Sequence, residues 1–160
     1  MKSLLLLRHA QSADKQIGQR DFDRVLTVTG QAQASHIGDY LKKKDIHPEL
    51  ILCSNAVRAS STANIVAGKI GYASDKITAV ETIYEASLNS LLSVIKALED
   101  KFNCVLLVGH NPSISTLGEF LTDEHVGNVE AAGLLSIEFS FNRWEEVSRG
   151  SGKLLSIIQA

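Results

Sequence analysis

KSLLLLRHAQ, residues 2–11, and CVLLVGHNP, residues 104–112, decide the fold. In each, a short apolar run reads as a buried strand, Leu4–Leu7 in the first and Cys104–Val108 in the second. The first run stops at Arg8 and His9, the second at Gly109 and His110, so two histidines cap two strands. In open α/β sheets ligands bind beyond the carboxyl ends of parallel strands, where two imidazoles and a neighbouring arginine converge on one small anion. Phosphoryl transfer is the chemistry this pattern fits.

Outward from these strands the chain alternates in type. Gln16 to Arg24 is polar, aperiodic and contains Gly18, which predicts a loop long enough to fold over a site. Thr27 or Thr29 caps a helix running to about Lys44, with Ala34, Ile37 and Leu41 on one face and lysines in its last turn. Leu50 to Cys53 is a strand, Ser54 or Asn55 caps a helix through Ile70, and Gly71 closes it. Lys76 to Val80 is predicted as a third strand, and Ser87 to Leu98 carries a helical stripe of Leu88, Leu91, Leu92, Ile95 and Leu98. Beyond the second motif, Asn111 is expected to cap a helix with Pro112 at its first position. Leu134–Phe141, Trp144–Val147 and Leu154–Gln159 read as terminal strands joined by tight turns. The expected fold is α/β, a mostly parallel sheet with right-handed crossovers and an antiparallel edge.

Composition bounds the function. The 160 residues are 44% hydrophobic and 21% charged, the make-up of one globular domain, so residues 1–160 are expected to form a single domain. A net charge of −2 offers no field for nucleic acid, and the Lys42–Lys44 run reads as a solvated helix end. The four leucines near the start are too few for a signal peptide or a membrane span. Cys53 and Cys104 lie in or beside apolar runs, which suits reduced buried thiols and makes the cytoplasm the expected compartment. Phe139, Phe141 and Trp144 are read as core.

The site residues follow from their chemistry. Neutral imidazole is a good nucleophile near pH 7, and a phosphohistidine adduct divides one hard displacement into two easier ones, which makes His9 the candidate nucleophile. Arg8 beside it supplies a planar fork for phosphate oxygens. Arg58 falls in the first turn of its helix, where the macrodipole disfavours a cation by roughly 0.3–1 kcal/mol, so an anion is expected beside it; an ion pair with a carboxylate is the plainer reading. His110, followed by a helix start, is expected to bind the phosphoryl group in its protonated form. Arg24 is either a further phosphate contact or the partner of Asp21 or Asp23.

A rival reading makes Cys53 a thiolate nucleophile separated from Arg58 by four residues, one short of the spacing such phosphate loops use. His36, His47 and His125 are scattered, without metal-ligand spacing, and the glycines match no nucleotide loop, so neither metal nor cofactor is expected.

LLLLRHAQSAD around His9, DFDRVLT from Asp21, SNAVRASSTA around Arg58, IYEAS from Ile83 and VGHNPS around His110 together resemble the histidine phosphatase superfamily, and most of all its short SixA-type phosphohistidine phosphatases. The resemblance implies a three-layer α/β/α sandwich and a nucleophilic His9, with Arg8, Arg58 and His110 forming the phosphate pocket and no metal. It also implies Glu85 as proton donor; Glu81, four residues earlier, is a candidate on spacing alone, and a plain surface carboxylate is the other reading of both. Ala10 stands where many members have Gly, Val25 where Pro is common, and Asn55 and Val57 where Pro and Arg are common. The implied substrate is phosphohistidine on a protein. Small phosphomonoesters are the alternative, and a phospho-ligand binding module without turnover is the reading of another class.

Overall fold

A computed structural model describes residues 1–160. Strand β1 (Lys2–Arg8) is followed by α1 (Val28–Lys43), β2 (Leu50–Cys53), α2 (Val57–Ile70), β3 (Thr78–Ala79), α3 (Leu88–Lys96), β4 (Cys104–Gly109), α4 (Ser113–Thr122), β5 (Leu134–Phe139) and β6 (Gly152–Ile158). The strands form one sheet in the order β3-β2-β4-β1-β5-β6. The first four are mutually parallel, whereas β5 runs antiparallel to β1 and β6 antiparallel to β5. This is the expected α/β sandwich with an antiparallel edge.

Alternation along the strands builds the layers. Leu4 and Leu6 of β1 pack with Leu91 and Ile95 of α3 and with Ile114, Leu117 and Leu121 of α4. Leu5 and Leu7 face the other way, onto Ala34, Ile37 and Leu41 of α1 and Ala59, Ala63, Val66 and Ala67 of α2. Because a four-residue run is buried on both faces, β1 shows no polar alternation, as central parallel strands do not. From β1 the chain steps outward to β2 and β3 and then returns to place β4 between β1 and β2. Right-handed crossovers on the outward steps put α1 and α2 on one face, and the returning step puts α3 on the other. The crevice where direction reverses lies between the carboxyl ends of β1 and β4.

Several boundaries differ from expectation. Thr27 caps α1, its hydroxyl accepting from the Gly30 amide. Neither Ser54 nor Asn55 caps α2: Ala56 occupies that position without a side-chain bond, and Ser54 Oγ instead accepts from the Ala56 amide while reaching His110. Pro112 stands at the cap of α4 and not inside it; Asn111 Oδ1 still receives the Ser115 amide and hydroxyl. The strand expected over Lys76–Val80 shrinks to Thr78–Ala79, preceded by a 3-10 turn. Trp144–Val147 is no strand: Trp144–Glu146 is a 3-10 turn whose tryptophan is fully buried and donates Nε1–H to the Phe102 carbonyl at 2.8 Å. Phe139 and Trp144 belong to the core, with Phe141 packed against it.

Candidate active site

Register alone brings the two histidines together. Arg8 pairs with Gly109 across β1 and β4, and the His9 amide donates to the Gly109 carbonyl at 2.9 Å. Beyond the strand ends the His9 and His110 rings stand 5.1 Å apart between centroids, tilted by 58°. Ser54 ends β2 on the far side of β4, its amide bonded to the Val108 carbonyl, and its hydroxyl lies 2.8 Å from His110 Nε2. Residues from three strand ends thus meet beside the N-terminus of α2, which carries Arg58. His9, His110 and Arg58 line a cavity of about 330 Å³ with Arg8, Gln11, Ser12, Arg24, Asn111 and Ala131. No carboxylate lines it.

Each imidazole is held in a defined way. His9 Nδ1 lies 2.8 Å from the Ala10 carbonyl, so Nδ1–H donates there and the Nε2 lone pair is left free. Burial, followed by the positive fields of Arg58, Arg8 and Arg24, lowers the His9 pKa to about 4 against the opposing Ala10 bond. His110 is lowered to about 3, first by burial and then by His9 and Arg58. Without an anion to offset the charge, the neutral imidazole of His110 is favoured, because another cation among buried arginines is costly; the protonated form expected to bind a phosphoryl group needs that anion beside it.

The arginines are anchored by different means. Arg8 Nη1 donates to the Val129 carbonyl at 2.9 Å, which also receives Asn111 Nδ2 at 2.7 Å. Arg58 donates from Nη1 to the Asp21 carbonyl at 2.8 Å and from Nη2 to Asp21 Oδ2 at 2.9 Å. Arg24 forms the ion pair expected with Asp21 and lines the cavity, all three nitrogens being engaged, by Ala13 O, Asp21 Oδ1 and Ser12 Oγ. The ion pair anticipated for Arg58 exists, yet its Nε has no partner.

Five buried side-chain polar atoms in the molecule lack a hydrogen-bond partner, and three of them, Arg8 Nε, Arg58 Nε and His110 Nδ1, belong to residues of this one cavity. Buried donors are ordinarily satisfied, and such a concentration marks a place where a ligand completes the set.

Glu85 stands apart. It is exposed and lines a neighbouring cavity of about 320 Å³ with Tyr84, Ala86, Pro112 and Ser113, separated from the first by the shared residues Arg58, His110 and Asn111. Glu81 is exposed on the preceding 3-10 turn and lines neither cavity. Asp21 and Tyr84 escaped the sequence reading as site residues; their signal lies only in tertiary contacts. Cys53 is fully buried, and burial pushes its thiol up to about 11, the reverse of an activated nucleophile. No group of three or more His, Cys, Asp or Glu side chains is gathered as a metal site would require, and no helix is long and apolar enough to cross a membrane.

Comparison with known proteins agrees with this geometry. A protein of uncharacterized function from Mycobacterium leprae is 29% identical over 147 residues, 85% of this chain and 86% of its own. The crystal structure of a candidate phosphohistidine phosphatase SixA from Agrobacterium tumefaciens superposes with a TM-score of 0.86 at 27% identity, over 99% of this chain and 98% of that one. A mycobacterial glucosyl-3-phosphoglycerate phosphatase bound to VO3, 18% identical with a TM-score of 0.75 and full coverage of both chains, shares the fold. The profile of the histidine phosphatase superfamily (branch 1) matches residues 4–91, more than half the chain. With both strand-end histidines seated among arginines, the chain belongs to the histidine phosphatase superfamily.

Proposed function

We propose that this protein is a phosphatase that forms a phosphohistidine on His9, and that its substrate is phosphohistidine on another protein. The observation that carries the reading is the set of partnerless polar atoms, the donors Arg8 Nε and Arg58 Nε together with His110 Nδ1, a donor when the Ser54 hydroxyl donates to Nε2, grouped around a carboxylate-free cavity beside a free imidazole nitrogen. A tetrahedral dianion supplies the acceptors those donors lack. His9 Nε2 attacks phosphorus, the bond to the leaving group breaks, and its electron pair departs with the leaving atom. Water then attacks the phosphohistidine, releasing inorganic phosphate and restoring the His9 lone pair. Arg8, Arg58 and His110 offset charge on the transferring oxygens in both steps, and Arg24 supports the same field.

The substrate class rests on the proton inventory. An alkoxide must be protonated as it leaves, whereas phosphohistidine takes a proton from solvent on its second ring nitrogen, whose basicity is near that of imidazole with a pKa of about 6.5, and then expels neutral imidazole without an acid in the pocket. The cavity holds no carboxylic acid, and Glu85 lines the adjoining one. Likeness to a SixA-described structure supports the same choice. The fold shared with a glucosyl-3-phosphoglycerate phosphatase favours the second reading, a small phosphomonoester, for which Glu85 is the proton donor.

Incubation with a phosphohistidine-bearing protein labelled on phosphorus separates these readings. The expected result is an acid-labile label on the wild-type chain, none on His9→Ala, and turnover lowered by roughly 10⁴-fold or more, the order lost when a covalent nucleophile is removed. Tight binding without label would make the chain a binding module. Exclusive turnover of one small ester in a parallel panel would overturn the substrate class and leave the nucleophile standing.

A further inference from the structure

We propose that Asp21 is a positioning residue for the transfer: it occupies one end of the Arg58 guanidinium so that the opposite edge, with Nε–H, is presented to the phosphoryl group. This rests on the reading of the cavity as a phosphoryl site. A guanidinium has five N–H donors in a fixed plane. Asp21 takes one from each terminal nitrogen of Arg58, with its backbone carbonyl at 2.8 Å and its Oδ2 at 2.9 Å. The end of the fork is thereby filled, and the unpartnered Nε edge is the part that remains for a ligand.

Asp21 is itself fixed from three directions. Arg24 donates to Oδ1 at 3.1 Å from within the same loop, Arg58 reaches Oδ2 from α2, and the Tyr84 hydroxyl donates to Oδ2 at 2.8 Å from beyond β3. The Tyr84 bond, with those of Arg24 and Arg58, holds the carboxyl far below the ordinary carboxylate range, so it stays ionised wherever the enzyme is folded. Tyr84 is braced in turn: its ring stands edge-on to Phe22 at 5.3 Å and to His110 at 5.5 Å, with the Arg58 guanidinium 5.9 Å from its centroid. Asp23, two residues on, pairs only with the exposed Arg20. Of the two acidic residues in the turn, one faces the site and the other faces water.

The charge of Asp21 also bears on what the pocket prefers. It offsets Arg24 and Arg58, weakening the hold on any anion in the ground state, while the orientation it imposes acts when oxygens spread toward five-coordinate geometry. Removing it should separate two affinities that a loss of structure would lower together. Orthovanadate, which adopts the five-coordinate geometry, and inorganic phosphate are the probes.

In Asp21→Ala the expected results are a fall in kcat/KM of roughly 10- to 100-fold, carried mainly by kcat, and a parallel fall in vanadate affinity, the scale of a misplaced catalytic contact. Phosphate affinity stays the same or tightens. Asp21→Asn, whose amide oxygen still accepts from Arg58, falls between Ala and wild type, and Tyr84→Phe moves the same way by a few-fold. Asp23→Ala behaves as wild type. Wild-type kcat/KM together with a wild-type ratio of vanadate to phosphate affinity in folded Asp21→Asn and Tyr84→Phe would overturn the proposal, whatever becomes of Asp21→Ala. If the wild-type chain turns over neither phosphohistidine nor any phosphoester, the phosphatase reading fails, and the ratio of affinities still reports on Asp21.

Discussion

The readiness of His9 for the proposed attack is a matter of a single proton. With Nδ1–H committed to the Ala10 carbonyl, a proton added to Nε2 places a cation among Arg58, Arg8 and Arg24 in a desolvated site, and the pKa falls to about 4. In the proposed reaction the base form attacks, so the competent fraction is expected to be full at neutral pH and lost only as pH falls through about 4. In the phosphate-free protein, ring-proton NMR of His9 and His110 is expected to show no titration between pH 8 and about 5. A His9 midpoint between 6 and 7 would show that burial and the arginine field do not hold its proton off. His9 and His110 were legible because an apolar run ending abruptly in a basic residue announces itself without any tertiary knowledge. Arg58 was legible because a cation in a first helical turn demands a partner. That the partner is Asp21, 37 residues away, was not legible, since its contacts to Arg24, Arg58 and Tyr84 span 3, 37 and 63 residues and no periodicity links them. Ala10 in place of a common Gly proved harmless: it is fully buried and is not among the residues of positive φ.

At the scale of elements, the site depends on how closely α1 approaches the turn after β1. Gly30 sits in the first turns of α1, and a Cβ there would lie 2.0 Å from the Gln11 carbonyl oxygen and 2.9 Å from its carbon. Neither atom can yield without moving the backbone that carries His9 and Ala10. The same contact is stitched by the Thr27 amide to the Gln11 carbonyl at 3.1 Å and by Thr27 Oγ1 to Gln11 Oε1 at 2.7 Å. Gly30→Ala is expected to lower both stability, by about 1–3 kcal/mol as overpacking does, and kcat, although alanine is the better helix former by about 1 kcal/mol. Urea unfolding and steady-state rates check it; a stabilised, fully active variant would mean that α1 shifts freely against the site. The strands legible in sequence were those with buried runs. Trp144–Val147 failed because its two buried residues are three apart, the repeat of a 3-10 turn and not of a strand. Lys76–Val80 failed because Thr78 and Ala79 form a short exposed edge and so leave no apolar pattern.

For the whole molecule, the site is a source of instability that its ligand removes. His9 and His110 have native pKa values of about 4 and 3 against about 6.5 when unfolded, so as pH falls below about 6.5 the unfolded chain binds two protons the native state refuses. Stability therefore declines with acidity from there, and Asp21, whose pKa is also depressed in the native state, adds to the decline below about pH 4. A bound dianion reverses the argument, because it supplies acceptors to Arg8, Arg58 and His110 and favours the protonated imidazoles. Inorganic phosphate at about a hundred times its Kd is expected to stabilise the fold by about 2.7 kcal/mol. The gain in Tm should be larger at pH 5.5 than at pH 8, relative to chloride at equal ionic strength, provided phosphate is held at the same multiple of its Kd at pH 7. Arg8→Ala should abolish the gain, since Arg8 stands among the cavity's cations with no salt bridge of its own. Equal shifts in Arg8→Ala and wild type would place the stabilising anion elsewhere on the molecule, and the strand-end cavity would lose its claim to bind phosphate.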